Sequence, residues 1–366
     1  MANYELWLDR DDGTRLAEID DFESLVYNMS LHQVGACSLV LPDGFDETLL
    51  AADRRLEVWR QPSGGKLQLE RTYFLRGLKD WTDKQGVRRI QITGLDGNYL
   101  PSGRIIAYAA GSAQASQTGT VDNIMKEIVR DNLGSDAAAA RQVSSTYFSV
   151  QANTSEGTTI TKAFSWRNVL TVLQDLTETA RAAGTTIYFD MTPVTPTVWE
   201  FRTRSGQLGQ DHTYPNGIGI VLLGLEYGNL EEPTREVDWS DEITYVYCGG
   251  QGEGAARAIT EVSDTTRLNR SLFGRREAFQ DARGEDSANG RTASANARLA
   301  EGRPRVKFSG KIVDSEGTKY GLHWRFGDKL SAIYRGQQYD GVVKAVEVKV
   351  DSTGKEEIEA RLETVE

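Results

Sequence analysis

The sequence predicts an α+β chain that is mainly β, with two antiparallel β-barrel or sandwich modules and an α/β middle domain between them. Three observations carry this expectation. Short alternating apolar segments dominate the first and last stretches, helical spacing takes over in the middle, and one hairpin pattern recurs near both ends. The expected boundaries are residues 1–100, 101–240 and 241–366, and a chain of 366 residues is long enough for two or three modules.

In the first stretch, "FESLVYNMSLHQVGACSLVLP" sets Leu25, Tyr27, Met29 and Leu31 in alternation with Val26, Asn28, Ser30 and His32, the period of two of a half-buried strand. Val34 and Gly35 turn the chain. The return strand places Cys37, Leu39 and Leu41 on one face, so Cys37 reads as a buried structural thiol and His32, on the polar face, as an exposed bystander. "LEVWRQPSGGKLQLERTYFLRGLKDWTDKQGVRRIQITGL" continues as three strands separated by the turn-rich "QPSGGK" and "TDKQG".

The middle stretch changes period. Thr120 can cap a helix in which Val121, Ile124, Ile128 and Val129 share a face and which Gly134 follows. "SWRNVLTVLQDLTETARAAG" repeats the pattern, with Ser165 as the expected N-cap, Val169, Val172, Leu173 and Leu176 at helical spacing, and Gly184 as the stop. The strand pair "TTIYFDM" and "TVWEFRTR" follows. The segment 111–116 and the run "DAAAARQ" are poor in bulky apolar residues and read as loops or a short surface helix.

The last stretch opens with the strand "EITYVYCGG", carries the alanine-rich helical segment "SANGRTASANARLAEG", and closes with four strand-like runs. Here the repeat emerges. "FLRGLKDWTDKQGVRRIQI" and "VVKAVEVKVDSTGKEEIEA" align without gaps, matching Phe74, Leu75, Arg76, Leu78, Asp83, Gly86 and Ile90 to Val342, Val343, Lys344, Val346, Asp351, Gly354 and Ile358. Upstream, "DRRLEVWR" from Asp53 aligns with "DKLSAIYR" from Asp328, bringing Val58, Trp59 and Arg60 onto Ile333, Tyr334 and Arg335.

Composition excludes several classes. Hydrophobic residues at 39% and charged residues at 26% describe a globular chain rather than a disordered one. A net charge of −11 argues against a protein that grips nucleic acid by its phosphates. Cys37 and Cys248 lie far apart without CxxC spacing, so neither a zinc site nor a disulfide framework is expected. No signal peptide and no membrane insertion are expected either.

No catalytic, cofactor-binding or metal-binding residue emerges. Only His32, His212 and His323 could serve as histidine bases, and no G-x-S-x-G elbow occurs. Asp211 beside His212 reads as a solvated loop, and His323 as a residue packed against Trp324 and Phe326. "YCGGQGEGAAR", residues 247–257, imitates a phosphate loop. It lacks the lysine and hydroxyl of a Walker loop and the spacing of a dinucleotide fingerprint, and Glu253 would oppose phosphate. It reads as a structural glycine bend.

The ordered series "LWLDRDDGTRLAEIDDFESLVYNMSLHQVGACSLVLP", "FSWRNVLTVLQDLTETARAAG", "RSGQLGQDHT", "LEYGNLEEPT", "YVYCGGQGEGAAR" and "LFGRREAF" resembles the tail hub, or minor tail, proteins of long-tailed bacteriophages. It is most similar to the hub-like proteins of actinobacterial siphophages. The resemblance implies a homotrimer at the virion tail tip, assembled in the host cytoplasm, whose chains each carry two domains similar to the tail-tube protein. Implied partners are a tail-tube or distal tail protein, the tape-measure protein and a tip fibre or plug protein, with DNA passing during ejection without specific binding. Because the chain stops at "EARLETVE", an attached enzyme is not expected. The alternatives are a carbohydrate-binding tip adhesin, suggested by 7 tryptophans and 14 tyrosines, and a wall-degrading tail lysin.

Overall fold

The computed structural model describes residues 2–108, 112, 114–283, 287–313 and 315–365. Seven strands form the N-terminal module: β1 (Asn3–Asp9), β2 (Arg15–Ile19), β3 (Ser24–Ser30), β4 (Ala36–Leu41), β5 (Arg55–Gln61), β6 (Gln68–Thr82) and β7 (Arg88–Leu95). Their spatial order is β2-β1-β5-β6-β7-β4-β3. Alternation buries Leu25, Tyr27 and Met29 of β3 with Cys37, Leu39 and Leu41 of β4, and burial pushes the Cys37 thiol well above its ordinary range. His32 departs from expectation. Since β3 ends at Ser30, the period of two no longer governs residue 32, which takes a φ of +59° and stacks its half-buried ring on Phe189 at 4.8 Å.

The middle region holds α1 (Tyr99–Ser102), β8 (Ala115–Thr120), α2 (Val121–Asn132), β9 (Phe148–Val150), β10 (Thr159–Phe164), α3 (Val169–Ala182), β11 (Ile187–Pro193) and β12 (Trp199–Ser205). β8 pairs with β10, and β12 lies between β11 and β9. The apolar faces of α2 and α3 meet Phe189 and Phe201 of this sheet in one core. Of the expected 111–116 loop, residues 111 and 113 lie outside the described residues, while Ala115 and Ser116 begin β8.

Ser165 does not cap α3. Asn168 does, its side chain accepting the Thr171 N–H at 3.2 Å. The chain cannot turn helical earlier, because Arg167 O accepts from Ile106 N at 2.8 Å and Val169 N donates to Arg104 O at 2.9 Å, holding the approach extended. The Thr120 hydroxyl likewise donates to Asp122 rather than accepting a backbone N–H of α2.

The C-terminal part contains β13 (Leu222–Gly224), β14 (Leu230–Asp238), β15 (Tyr245–Gly249), β16 (Ile259–Ser263), α4 (Thr265–Leu268), β17 (Glu277–Asp281), α5 (Ala288–Glu301), β18 (Arg305–Ile312), β19 (Lys329–Tyr334), β20 (Gln337–Asp351) and β21 (Glu356–Val365). β16-β15-β17 form a small sheet with Ala295 and Leu299 of α5 packed on Val246 and Cys248. The remaining strands run β13-β19-β20-β21-β18-β14, so strands before residue 240 pair with strands after it. No helix among the described residues is long and apolar enough to cross a membrane.

The two modules repeat one another in detail. β6 and β20 are both 15 residues long, and each has a bulge at the same aligned place, between Leu75 and Gly77 and between Val343 and Ala345. Asp83 accepts the N–H groups of Gln85 and Val87 as Asp351 accepts those of Thr353 and Lys355. Gly86 and Gly354 close these turns at φ +84° and +77°, where an L side chain is strained.

The upstream strands also correspond, but one residue out of the sequence alignment. Arg55 faces Phe74 as Lys329 faces Val342, so Leu56 and Val58 match Leu330 and Ala332, not Ser331 and Ile333. A one-residue slip exchanges the faces of a strand. The buried set decides the register, since all four of these apolar residues are fully buried.

The modules are joined edge to edge. β3 pairs antiparallel with the second half of β20, from Ala345 opposite Ser30 to Asp351 opposite Ser24, merging both into one 13-stranded sheet. A buried ion pair reinforces the joint: Arg60 Nε and Nη2 reach Glu356 Oε1 and Oε2 at 2.7 and 3.1 Å, and Arg60 Nη1 donates to Tyr320 O at 3.0 Å. Tyr4 donates its hydroxyl to the same carboxylate.

Arg60→Met leaves Glu356 without its cation and is expected to cost about 3–5 kcal/mol, read as a lower urea midpoint. The double variant Arg60→Met, Glu356→Leu is expected to recover most of that loss. Asp9 offers a pH test: burial and then Glu57 push its carboxyl up to about 6, against the pull of Arg15 at 2.7 Å. The folded state thus keeps a proton that the unfolded chain releases near pH ~3.9, and stability falls as pH rises through the interval between these values. Asp9→Asn is expected to flatten urea midpoints across that interval and to add ~1–3 kcal/mol at pH 8.

Candidate functional site

The glycine-rich loop has the wrong polarity for phosphate. Gly252 and Gly254, at φ +96° and +53°, reverse the chain after β15, and Gly250 N closes the loop on Ala258 O at 2.8 Å. Arg257 fills the bend. Its guanidinium donates to the carbonyls of Gly249 and Gly250 at 3.1 and 3.3 Å, pairs with Asp281 and lies 5.0 Å over the Phe279 ring. A Cβ on Gly249 would stand 2.6 Å from Arg257 Nε, so a side chain there would push the guanidinium out of its place in the bend. These carbonyl oxygens point toward the guanidinium, whereas anion sites present N–H groups.

The histidines hold structure together. His212 is buried rather than solvated: its backbone N–H donates to Lys329 O at 2.8 Å, its Nδ1 lies 3.1 Å from Gly219 O, and its Nε2 lies 3.4 Å from Asp328 Oδ2. The loop packs because Asp211 and Lys329 bridge in parallel. His323 Nδ1 accepts the Lys319 N–H at 2.9 Å, and it is Tyr320 that packs its ring on Trp324, at 4.8 Å.

Two polar groupings had not been singled out in the sequence. Arg71 donates to Asp190 at 2.8 Å and to Asp96 at 2.7 Å, tying β6 to β11 beside a cavity of about 420 Å³ that Phe326 also lines. Glu127, Asp131 and Asp136 bring carboxylates within 4.8 Å of one another. The i, i+4 spacing of the first two was legible. Arg130 and Gln117 bind Glu127 and Asp131 at 2.8 Å each, and this accounts for the cluster within the fold.

Larger surfaces stand out more than any pocket. Among the described residues, β14 pairs only with β18, and β6 beyond Arg76 pairs only with β7, leaving two open strand edges. On the loop between α4 and β17, Leu272 and Phe273 are 99% and 85% exposed. Lone apolar residues at the surface are ordinary, but an adjacent pair this exposed suits an interface.

Arg257→Ala is expected to lower stability by about 1–3 kcal/mol through loss of charge-assisted hydrogen bonds. Nucleoside triphosphate or inorganic phosphate at millimolar concentration is expected to leave the melting temperature of the unsubstituted protein unchanged.

Comparison with known proteins places this fold. No curated protein matches the sequence. A prophage MuSo2 tail protein of 43 kDa from Shewanella oneidensis is similar with a TM-score of 0.61 and 12% identity, covering 98% of this chain and 97% of that one. A tail protein from Neisseria meningitidis gives 0.59 and 12%, covering 99% and 97%. The prophage tail protein gp18 from Listeria monocytogenes gives 0.56 and 11%, covering 98% and 94%. The two β-modules, their joint and the middle domain thus make up a phage tail protein fold, and residues 3–362 match one family throughout: the chain belongs to the siphovirus ReqiPepy6 Gp37-like proteins.

Proposed function

We propose that this chain is the tail hub of a long-tailed phage of the actinobacterial kind, a structural protein without enzymatic activity. Three copies form a ring at the tail tip, joining a hexameric tail tube to the tip proteins and enclosing part of the DNA exit channel. The observation that carries this reading is the pair of β-modules, alike in strand order, bulge and turn, joined edge to edge within one chain. Three such chains present six like modules, the number a sixfold tube requires, and closed cyclic assembly is the usual solution for identical subunits.

The remaining features accord with such a role. The glycine bend, His212 and His323 are engaged in holding the fold, as an architectural protein needs. The net charge of −11 on each chain would keep DNA phosphates from adhering to the ring during ejection. Leu272 and Phe273 offer an apolar contact for a neighbouring tail protein, whether tube, distal tail, tape-measure or tip component, during assembly in the host cytoplasm.

Immunogold labelling of phage particles with antibody to this chain tests the reading. Gold confined to the tail tip is expected; gold spread along fibres would favour an adhesin, and unlabelled particles in a lysate that contains the chain would overturn the virion role. Sedimentation is expected to give three times the chain mass of 40.5 kDa. The variant Leu272→Ser, Phe273→Ser is expected to keep its stability within about 0.5 kcal/mol of the parent while losing incorporation into particles.

A further inference from the structure

We propose that the cavity beside Arg71, where the middle domain meets both β-modules, is a binding site for a neutral saccharide. It is built from residues of a single chain, so the proposal does not depend on the hub reading. Its floor is the outer face of β11 and β12. Phe189 and Met191 turn into the core with α2 and α3, and strand alternation therefore sends Tyr188, Asp190 and Thr192 to the opposite face, across from Arg204, Arg202 and Glu200. The segment after β3 leans over this face, with the His32 ring 5.7 Å from that of Tyr188, and Phe326 lines the cavity from the second module. The volume of about 420 Å³ falls within the ~300–1,000 Å³ of small-ligand sites.

Charge is already balanced there. Arg71 holds Asp190 through two hydrogen bonds of 2.8 Å and reaches Asp96 at 2.7 Å, while Arg202 pairs with Glu200. Arg204 donates to Leu208 O at 3.1 Å. The guanidiniums of Arg71, Arg202 and Arg204 are thus matched by the carboxylates of Asp190, Glu200 and Asp96, and the cavity has no formal charge left with which to select an ion.

What lacks a partner is neutral. Tyr188 is only 7% exposed, and its hydroxyl makes no hydrogen bond among the described residues. Asn98, 1% exposed, spends its Nδ2 on Gln33 O at 2.9 Å and leaves Oδ1 unpartnered, and the hydroxyl of the buried Thr203 has no partner either. Buried polar groups of this kind are few in folded proteins. Three of them border one cavity.

A sugar answers both conditions. Each of its hydroxyls donates and accepts at once, so one entering beside Asn98 and Tyr188 supplies what the chain itself does not. Adjacent hydroxyls also suit a carboxylate set beside a guanidinium, as Glu200 is beside Arg202, because one hydroxyl donates to the first and its neighbour accepts from the second. The half-buried rings of His32 and Phe326 offer flat apolar area to the C–H face of a pyranose.

The test is saturation-transfer NMR on the full chain titrated with glucose, galactose, mannose and N-acetylglucosamine. At least one is expected to receive magnetisation, most strongly at its ring C–H protons, and to saturate in the millimolar range. Silence from all of them overturns the proposal, and so does stronger transfer to glucuronate or inorganic phosphate than to every neutral sugar. Tyr188→Phe removes the hydroxyl and keeps the ring. It is expected to weaken binding about three- to tenfold with the melting temperature retained, and Arg202→Gln, on the exposed rim, is expected to act in the same direction. The control Trp166→Ala removes an exposed ring that does not line the cavity and is expected to leave binding unchanged. Loss of binding in that control, with none in Tyr188→Phe or Arg202→Gln, places the sugar on the outer surface and overturns the cavity site.

Discussion

Strand β20 has to serve two sheets. Its first half closes the second module against β19, and its second half receives β3 from the first. One strand can do this only if it is long enough and if its backbone shifts between the two tasks, and the bulge at Lys344 provides the shift. The Arg60–Glu356 pair, the Tyr4 hydroxyl and the aromatic ring of Tyr320 converge beside this joint and fix the angle between the modules. The middle domain is tied to the same frame through Arg71, which reaches from β6 to Asp190 on β11.

Much of this architecture was legible because its causes are local. The Asp83 and Asp351 turns announce themselves through aspartate and glycine at fixed spacing, and alternation in β3 and β4 identified their buried faces. What was hidden depends on distant partners. The register of β19 is set by which residues meet the core, so the resemblance of "DRRLEVWR" to "DKLSAIYR" placed it one residue off. The N-cap at Asn168 follows from strand-like contacts with Arg104 and Ile106, which no pattern inside the helix reveals. β14 was illegible for another reason: "LEEPTREVD" is charged, carries a proline and shows little apolar alternation, as befits an end strand.

The polar residues that first suggested chemistry act as struts. A glycine-rich bend after a strand can cradle an anion or enclose a cation, and the difference lies in whether N–H or C=O groups turn inward. Here the cation comes from the chain itself, since Arg257 at the far end of the bend folds its guanidinium back onto the carbonyls of Gly249 and Gly250. His212 is used in the same way, its ring lying between backbone carbonyls and Asp328 where sequence suggested open solvent.

The β3·β20 joint also has a kinetic meaning. Because both strands belong to one polypeptide, their encounter is unimolecular, and the local concentration of one edge near the other is set by the intervening chain rather than by the number of molecules in solution. No translational or rotational freedom of a separate body is lost when it forms. Dilution can therefore separate this chain from any partner without ever parting the two modules within it.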